Sequence, residues 1–244
     1  MGSVGKESLD GPLRILIVGA GNARPAGRLF ERSELAKEAG AALHLASNCH
    51  GILRRFGIYP ETFGANPVHG IWVLSHRVRL HEALKGAATA KEGEGPPAVL
   101  KTSSRVVDVD AVKGTVTLED GTKFSGDLVI GADGVGFVTR KYIAPNLRPF
   151  SSGKSAFRFM VPHETTLANP LTKDDQHTTK ETLLDIFSDF GPKVQALLGM
   201  ADENSLKAWT LLDMKKIPRW VEGKLALLGD AAHPFLPCQY KFIR

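Results

Sequence analysis

Gly19 and Gly21 stand directly after the apolar run Arg14 to Val18 in "RILIVGAG", and an acid, Glu31, closes the next apolar segment in "LFERS". A glycine turn after a buried strand lets the backbone approach a pyrophosphate, whose charge then rests at the start of a helix. An acid at the end of the following strand can accept both hydroxyls of a ribose. The chemistry indicated is the binding of a dinucleotide. Two aspartates extend the pattern: Asp133 in "DLVIGADGVGFVTR" and Asp230 in "KLALLGDAAHPFLP" each follow an apolar run, at the carboxyl end of a strand, where open α/β sheets hold their ligands. The spacing is short, however. The ribose acid is expected about 20 residues beyond the turn, whereas Glu31 lies 12 positions after Gly19, and Arg24 occupies the place of the third glycine. A crossover between parallel strands needs a dozen or more residues. Asn22 to Gly27 makes fewer than about two helical turns, and Pro25 spoils those. Both ends of a nucleotide site are present and the connector looks deleted.

The elements that must position these residues follow from periodicity. The apolar runs at Arg14 to Val18, Leu128 to Ile130 and in "KLALLGD" suit a parallel sheet covered on both faces. Helical spacing runs in two pieces through "SELAKEAGAALHLASNCHGILRRFGI", with Asn48 as a cap and an apolar stripe of Ile52, Leu53 and Phe56 that Gly57 ends. A second helix in "HRVRLHEALKGAA" is expected to end at Gly86. From Thr102 the period becomes two, and Lys113-Gly114 and Asp120-Gly121 mark the hairpin turns of a β-meander. Residues 151–213 mix a strand at "SAFRFMV", helices at Leu183 to Phe190 and Val194 to Met200, and a strand at Trp209 to Leu212. The expected fold is α/β, a Rossmann-like domain with a parallel sheet and β-meander joined to a smaller, incomplete α+β domain. The boundaries fall at 13–150 for the first part of the nucleotide domain, 151–215 for the second domain, and 216–240 for the return to the first.

Composition excludes several classes. With 43% hydrophobic and 23% charged residues the chain is an ordinary globular sequence, and its net charge of +5 is spread without a basic run, which argues against nucleic acid as a partner. Cys49 and Cys238 belong to no disulfide framework and no metal-ligand pattern. Neither a signal peptide nor a transmembrane run of about 20 apolar residues is visible, so a cytoplasmic location is expected.

Together "ILIVGAG", "LFER", "GADG" and "GDAAHPFLP" resemble the FAD-dependent aromatic-ring hydroxylases, the single-component flavoprotein monooxygenases of the salicylate hydroxylase type. The likeness runs from about Leu13 to Pro237. It implies FAD as cofactor, NAD(P)H as co-substrate and a small aromatic substrate hydroxylated with O₂. By the same resemblance Gly19 and Gly21 approach the FAD pyrophosphate and Glu31 holds the adenosine ribose. Ala41 and Ala42 run beside the cofactor, Arg77 reaches it, and Asp133 serves both flavin and pyridine nucleotide. Gly229 and Asp230 meet the ribityl chain, and Pro234 lies by the isoalloxazine ring. Arg158 is the candidate for an anionic substrate, as the one site residue assigned to catalysis. A turn-capping role competes for Asp133 and Asp230, because aspartate caps turns commonly.

The chain also departs from the family. Arg79 replaces an acid, Phe137 replaces a serine, the stretch from Gly57 to His76 is short, and after "GDAAHPFLP" the chain reads "CQYKFIR" in place of a glycine turn and a long helix. The expectation is an enzyme with missing internal segments and a lost C-terminus that binds FAD poorly. A non-catalytic remnant and an NAD-dependent dehydrogenase are the alternatives, and the latter leaves "GDAAHPFLP" unexplained.

Overall fold

The computed structural model describes residues 13–19, 27–34, 42–68, 72–92, 96–135, 138–158, 178–202 and 206–234. Its contacts divide the chain into two units, residues 1–149 with 214–244, and residues 150–213. In the first unit β1 (Ile15–Val18) lies at the centre of a six-stranded sheet. It pairs in parallel with β2 (Gly27–Phe30) on one side and β10 (Leu128–Gly131) on the other. Parallel β6 (Val99–Lys101) and β14 (Leu225–Leu227) extend the sheet outward, and antiparallel β13 (Val221–Glu222) closes the edge beyond β14.

Strand alternation sorts the apolar residues of β1 to two cores. Leu16 and Val18 join Phe30, Val129 and Leu225 on one face, where the meander residues Val109, Val116 and Leu118 cover them. Ile17 packs on the opposite face with Leu29 and Ala98. The meander itself consists of β7 (Val106–Asp110), β8 (Thr115–Leu118) and β9 (Lys123–Ser125). Its turns place Gly114 at φ +70° and Gly121 at φ +83°, in the left-handed region that glycine enters without strain.

A second, antiparallel sheet in the same unit corrects the sequence reading. Residues Ala42–Ala46, expected to be helical, form β3, which pairs with β5 (Trp72–His76), and β4 (Asn66–Val68) completes the sheet. Cross-strand pairing decides the state of such a short alternating segment, and propensity does not. Helix α1 (Ser47–Arg55) follows, and only Leu53 of the expected stripe is buried, with Ile52 and Phe56 exposed. Gly86 does not end helix α2 (Arg77–Thr89), because Ala87 and Ala88 beyond it pack against the cores around Leu80 and Ile17.

The 150–213 unit contains β11 (Phe150–Arg158) antiparallel to β12 (Lys207–Asp213), with helices α4 (Thr178–Ile186) and α5 (Pro192–Gly199). Leu183, Ala201 and Leu206 form its buried core, with Phe157 and Phe187 packed against them. The remaining short helix of the first unit, α3 (Arg140–Ile143), belongs to the site.

Candidate functional site

Four loops leave the sheet at one level. The Gly19 N–H donates to the Phe30 carbonyl, the Ala132 N–H to Val18, and the Leu228 N–H to Gly131, at 2.9, 2.8 and 2.9 Å. This row of bonds fixes the carboxyl ends of β2, β1, β10 and β14 beside one another. The chain leaves β1 toward β2 on one side while β10 and β14 lie on the other, so the crevice between the loops after β1 and β10 is a topological switch point. Gly19 sits there at φ +98°, and a Cβ at that position would stand 2.4 Å from the Ala132 carbonyl oxygen. Glycine is required by both backbone conformation and space.

The loop after β10 is closed by its own side chains. The Asp133 carboxylate accepts the Thr139 N–H at 3.1 Å and the Thr139 hydroxyl at 2.5 Å. Thr139 is fully buried, and Gly131 leaves room for it, since a Cβ there would lie 2.4 Å from the Thr139 Oγ1. Asp133 thus fixes the turn into α3, as a capping aspartate does.

Arg140, for which the sequence motifs suggested no role, joins the two aspartate loops. Its guanidinium is fully buried. Nε donates to the Ala231 carbonyl at 2.8 Å, and one terminal nitrogen donates to the carbonyls of Asp230 at 2.8 Å and Gly134 at 3.0 Å. Burial pushes its pKa down, opposed by the charges of Asp133 and Asp230. The other terminal nitrogen has no partner among the described residues. A threonine and arginine placed shortly after a Gly/Asp turn, at the start of a short helix, were the available signal.

The loop after β14 is open. Gly229 has φ +60°, with nothing within 4 Å of the place a Cβ would take, and its carbonyl accepts both the Ala232 and His233 N–H at 2.9 Å. Asp230 is exposed, and among the described residues its carboxylate forms no hydrogen bond or ion pair. It does not cap the turn. Pro234 is half-buried beyond it, and the His233 ring lies 5.2 Å from that of Trp220.

Other expected site residues are distributed as follows. Glu31 follows β2, and its Oε1 accepts both the N–H and the hydroxyl of Ser33 at 2.9 Å. Ala42 opens β3 opposite His76, which places Arg77, exposed at the start of α2, beside it along the chain. Arg79, on the same helix, donates to the Phe63 carbonyl at 3.0 Å and so holds the 3-10 turn Pro60–Phe63, a structural use for the residue that replaces the family's acid. Arg158 is at the end of β11, opposite Lys207 in the ladder, and its side chain lies outside the described residues. Gly21 and Ala41 also lie outside them, as do Arg24, Pro25, Phe137 and Cys238. No helix of the described residues is long and apolar enough to cross a membrane.

No family model matches the chain. Among curated proteins it is 27% identical to hispidin-3-hydroxylase of Neonothopanus nambi, over 77% of this chain and 57% of that one. It is 27% identical to an FAD-dependent monooxygenase of Diaporthe leptostromiformis, over 86% and 72%, and 26% identical to 6-hydroxynicotinate 3-monooxygenase of Bordetella bronchiseptica, over 94% and 78%. The chain therefore spans between just over half and about three quarters of these relatives. The last alignment covers 308 positions but uses 94% of 244 residues, about 229, so about 79 positions of the relative have no counterpart within the matched span. Among solved structures, 2-methyl-3-hydroxypyridine-5-carboxylic acid oxygenase superimposes with a TM-score of 0.73 at 22% identity, over 93% of this chain and 78% of that one. Salicylate hydroxylase gives 0.67 at 20% identity, over 93% and 74%. Over most of its length the chain is thus similar in sequence to FAD-dependent monooxygenases, and it has the fold of these solved aromatic-ring hydroxylases.

Proposed function

We propose that the chain acts in the FAD-dependent hydroxylation of a small electron-rich aromatic ring with NAD(P)H and O₂. One observation carries the reading: Gly19, Asp133 and Asp230 meet at the carboxyl edge of one parallel sheet, at its switch point. The residues fit the flavin end of the cofactor. Gly229 leaves its surroundings open, and Asp230 presents an exposed carboxylate free to accept a ribityl hydroxyl. FAD, when bound, supplies the transfer of two electrons from NAD(P)H to O₂ and the delivery of one oxygen atom to the ring.

The chain's own residues bind and orient. Arg140 holds the Asp230 and Ala231 carbonyls inward, which leaves the Asp230 side chain directed away from the core. Asp133 keeps the preceding loop closed through Thr139. Pro234, Ala42 and Arg77 are the residues that would border the bound cofactor. Arg158, on β11, is the candidate to meet an acidic or phenolic substrate group, a charge-assisted contact suited to the hydroxylated and carboxylated rings in the relatives' names. The test is reconstitution of purified protein with flavin, followed by NAD(P)H oxidation in the presence of hydroxylated aromatic acids. Substrate-dependent oxidation with formation of a hydroxylated product supports the reading, and its absence with flavin bound overturns it.

A further inference from the structure

Helix α3 has four residues, too few to hold its own shape in water. Thr139 stands at its start, but the Thr139 hydroxyl is bonded to Asp133, and no side chain caps the helix. The placement of Arg140 is therefore decided by what grips α3 from outside. Toward one side are the loops that Arg140 joins. Tyr142, two positions on, leaves the helix on nearly the opposite side and meets β7, the edge strand of the meander. Its hydroxyl accepts the Val109 N–H at 3.2 Å and donates to the Asp108 carboxylate. The Lys141 ammonium lies 4.9 Å from the centre of the Tyr142 ring and 3.9 Å from Asp108 Oδ1. The strand is shaped for this grip. Its pairing with β8 shifts between Val106 and Asp108, which leaves Val107 as an extra residue, and the Val107 carbonyl accepts from Lys141 at 3.4 Å. Bulges of this kind re-aim side chains and recur beside functional sites. Consecutive side chains from Thr139 to Tyr142 thus tie α3 to the loop after β10, the loop after β14 and the meander.

Resting on the reading above, we infer that Tyr142, held by Asp108, is a positioning residue of the flavin site. It acts through Arg140, whose bonds to the Asp230 and Ala231 carbonyls set where the Asp230 carboxylate stands for a ribityl hydroxyl. Asp108 serves as a hydrogen-bond acceptor and not as a charge, because its ion pair with Lys141 is long and open to water.

Two measurements on the purified full chain test this. In the flavin-free protein, exchange of the Arg140 Nε–H with solvent, followed by NMR, is expected to quicken about three- to tenfold in Tyr142→Phe and in Asp108→Ala, as one lost hydrogen bond allows. Asp108→Asn keeps an acceptor and restores slow exchange. In fluorescence titration with FAD, the same two variants weaken binding about three- to tenfold, Asp108→Asn binds like the parent, and Tyr142→Phe weakens nothing further in an Arg140→Met background. Arg140→Lys serves as the background if circular dichroism shows Arg140→Met to be unfolded. Unchanged exchange in a folded Tyr142→Phe chain overturns the inference, and so does equal weakening of FAD binding by Tyr142→Phe in both backgrounds. A folded parent chain that shows the expected exchange pattern but binds no FAD overturns the flavin reading, and the role of Tyr142 in a flavin site with it.

Discussion

Arg140 and Asp230 illustrate opposite ways for a charged residue to serve one site. Arg140 is fully buried and directs its donors to three backbone carbonyls from two loops. Replacing it by methionine keeps the volume and strips those carbonyls of their partner. Each unpaired buried group costs about 1–3 kcal/mol, and with water reaching the outer two, a loss of about 3 kcal/mol is expected. For a chain of this size that lowers the melting temperature by about 10 °C, measurable by calorimetry. Asp230 is exposed and its carboxylate hydrogen-bonds to no described residue, its charge acting only on the buried Arg140, so Asp230→Asn is expected to lower the melting temperature of the flavin-free protein far less than the loss of Arg140 does. Flavin affinity should fall by about tenfold or more, the range for a hydrogen bond to a charged group. A fall in stability without a fall in affinity would make Asp230 a turn residue. The aspartates were legible in the sequence because each ends an apolar run, but nothing in the spacing distinguished Asp133, which binds Thr139, from Asp230, which does not. That difference depends on where Thr139 and Arg140 fall after the turn.

At the level of elements, β1 is anchored at both ends by unlike devices. At its amino end, Arg14 donates to the Asp127 carboxylate through its backbone N–H, Nε and a terminal nitrogen, at 2.9, 3.2 and 2.9 Å. These bonds lower the Asp127 pKa to about 2. A carboxylate held below its unfolded value of about 3.9 stabilises the fold fully above that pH and loses the contribution as pH falls toward 2. Thermal melts from pH 5 to pH 2 should therefore fall less steeply for Asp127→Asn than for the parent chain. At the carboxyl end, Gly19→Ala forces a Cβ to within 2.4 Å of Ala132 at a φ of +98°. Strain and overpacking together cost about 2–4 kcal/mol, visible as a lowered urea midpoint. The parallel strands and the meander could be read from continuous apolar runs and glycine turns. Strands β3, β4 and β5 could not: Ala42–Ala46 alternates over only five residues, and its strand state comes from pairing with Trp72–His76, a partner distant in sequence.

For the molecule as a whole, the decisive quantity is a length. The twelve positions from Gly19 to Glu31 are few for a crossover helix and a second strand, and β1 and β2 lie side by side in parallel. The fold is shared over 93% of the chain with 2-methyl-3-hydroxypyridine-5-carboxylic acid oxygenase, while about 79 positions of an aligned relative have no counterpart here. The order of the sheet is set by strand pairing and by the cores on its two faces. Ligand selectivity is the property expected to change. Inserting about a dozen helix-forming residues between Gly21 and Arg28 provides the crossover length and aligned N–H groups for a pyrophosphate. FAD affinity should then rise while FMN affinity stays within about twofold, and ADP should begin to compete. Equal gains for both flavins would mean that the insertion stabilises the sheet generally, and no gain for either would mean that the adenosine half is limited by Glu31 and its bond to Ser33. Glu31 is then the residue to release, and Ser33→Ala in the lengthened chain distinguishes those two outcomes by whether FAD binding recovers.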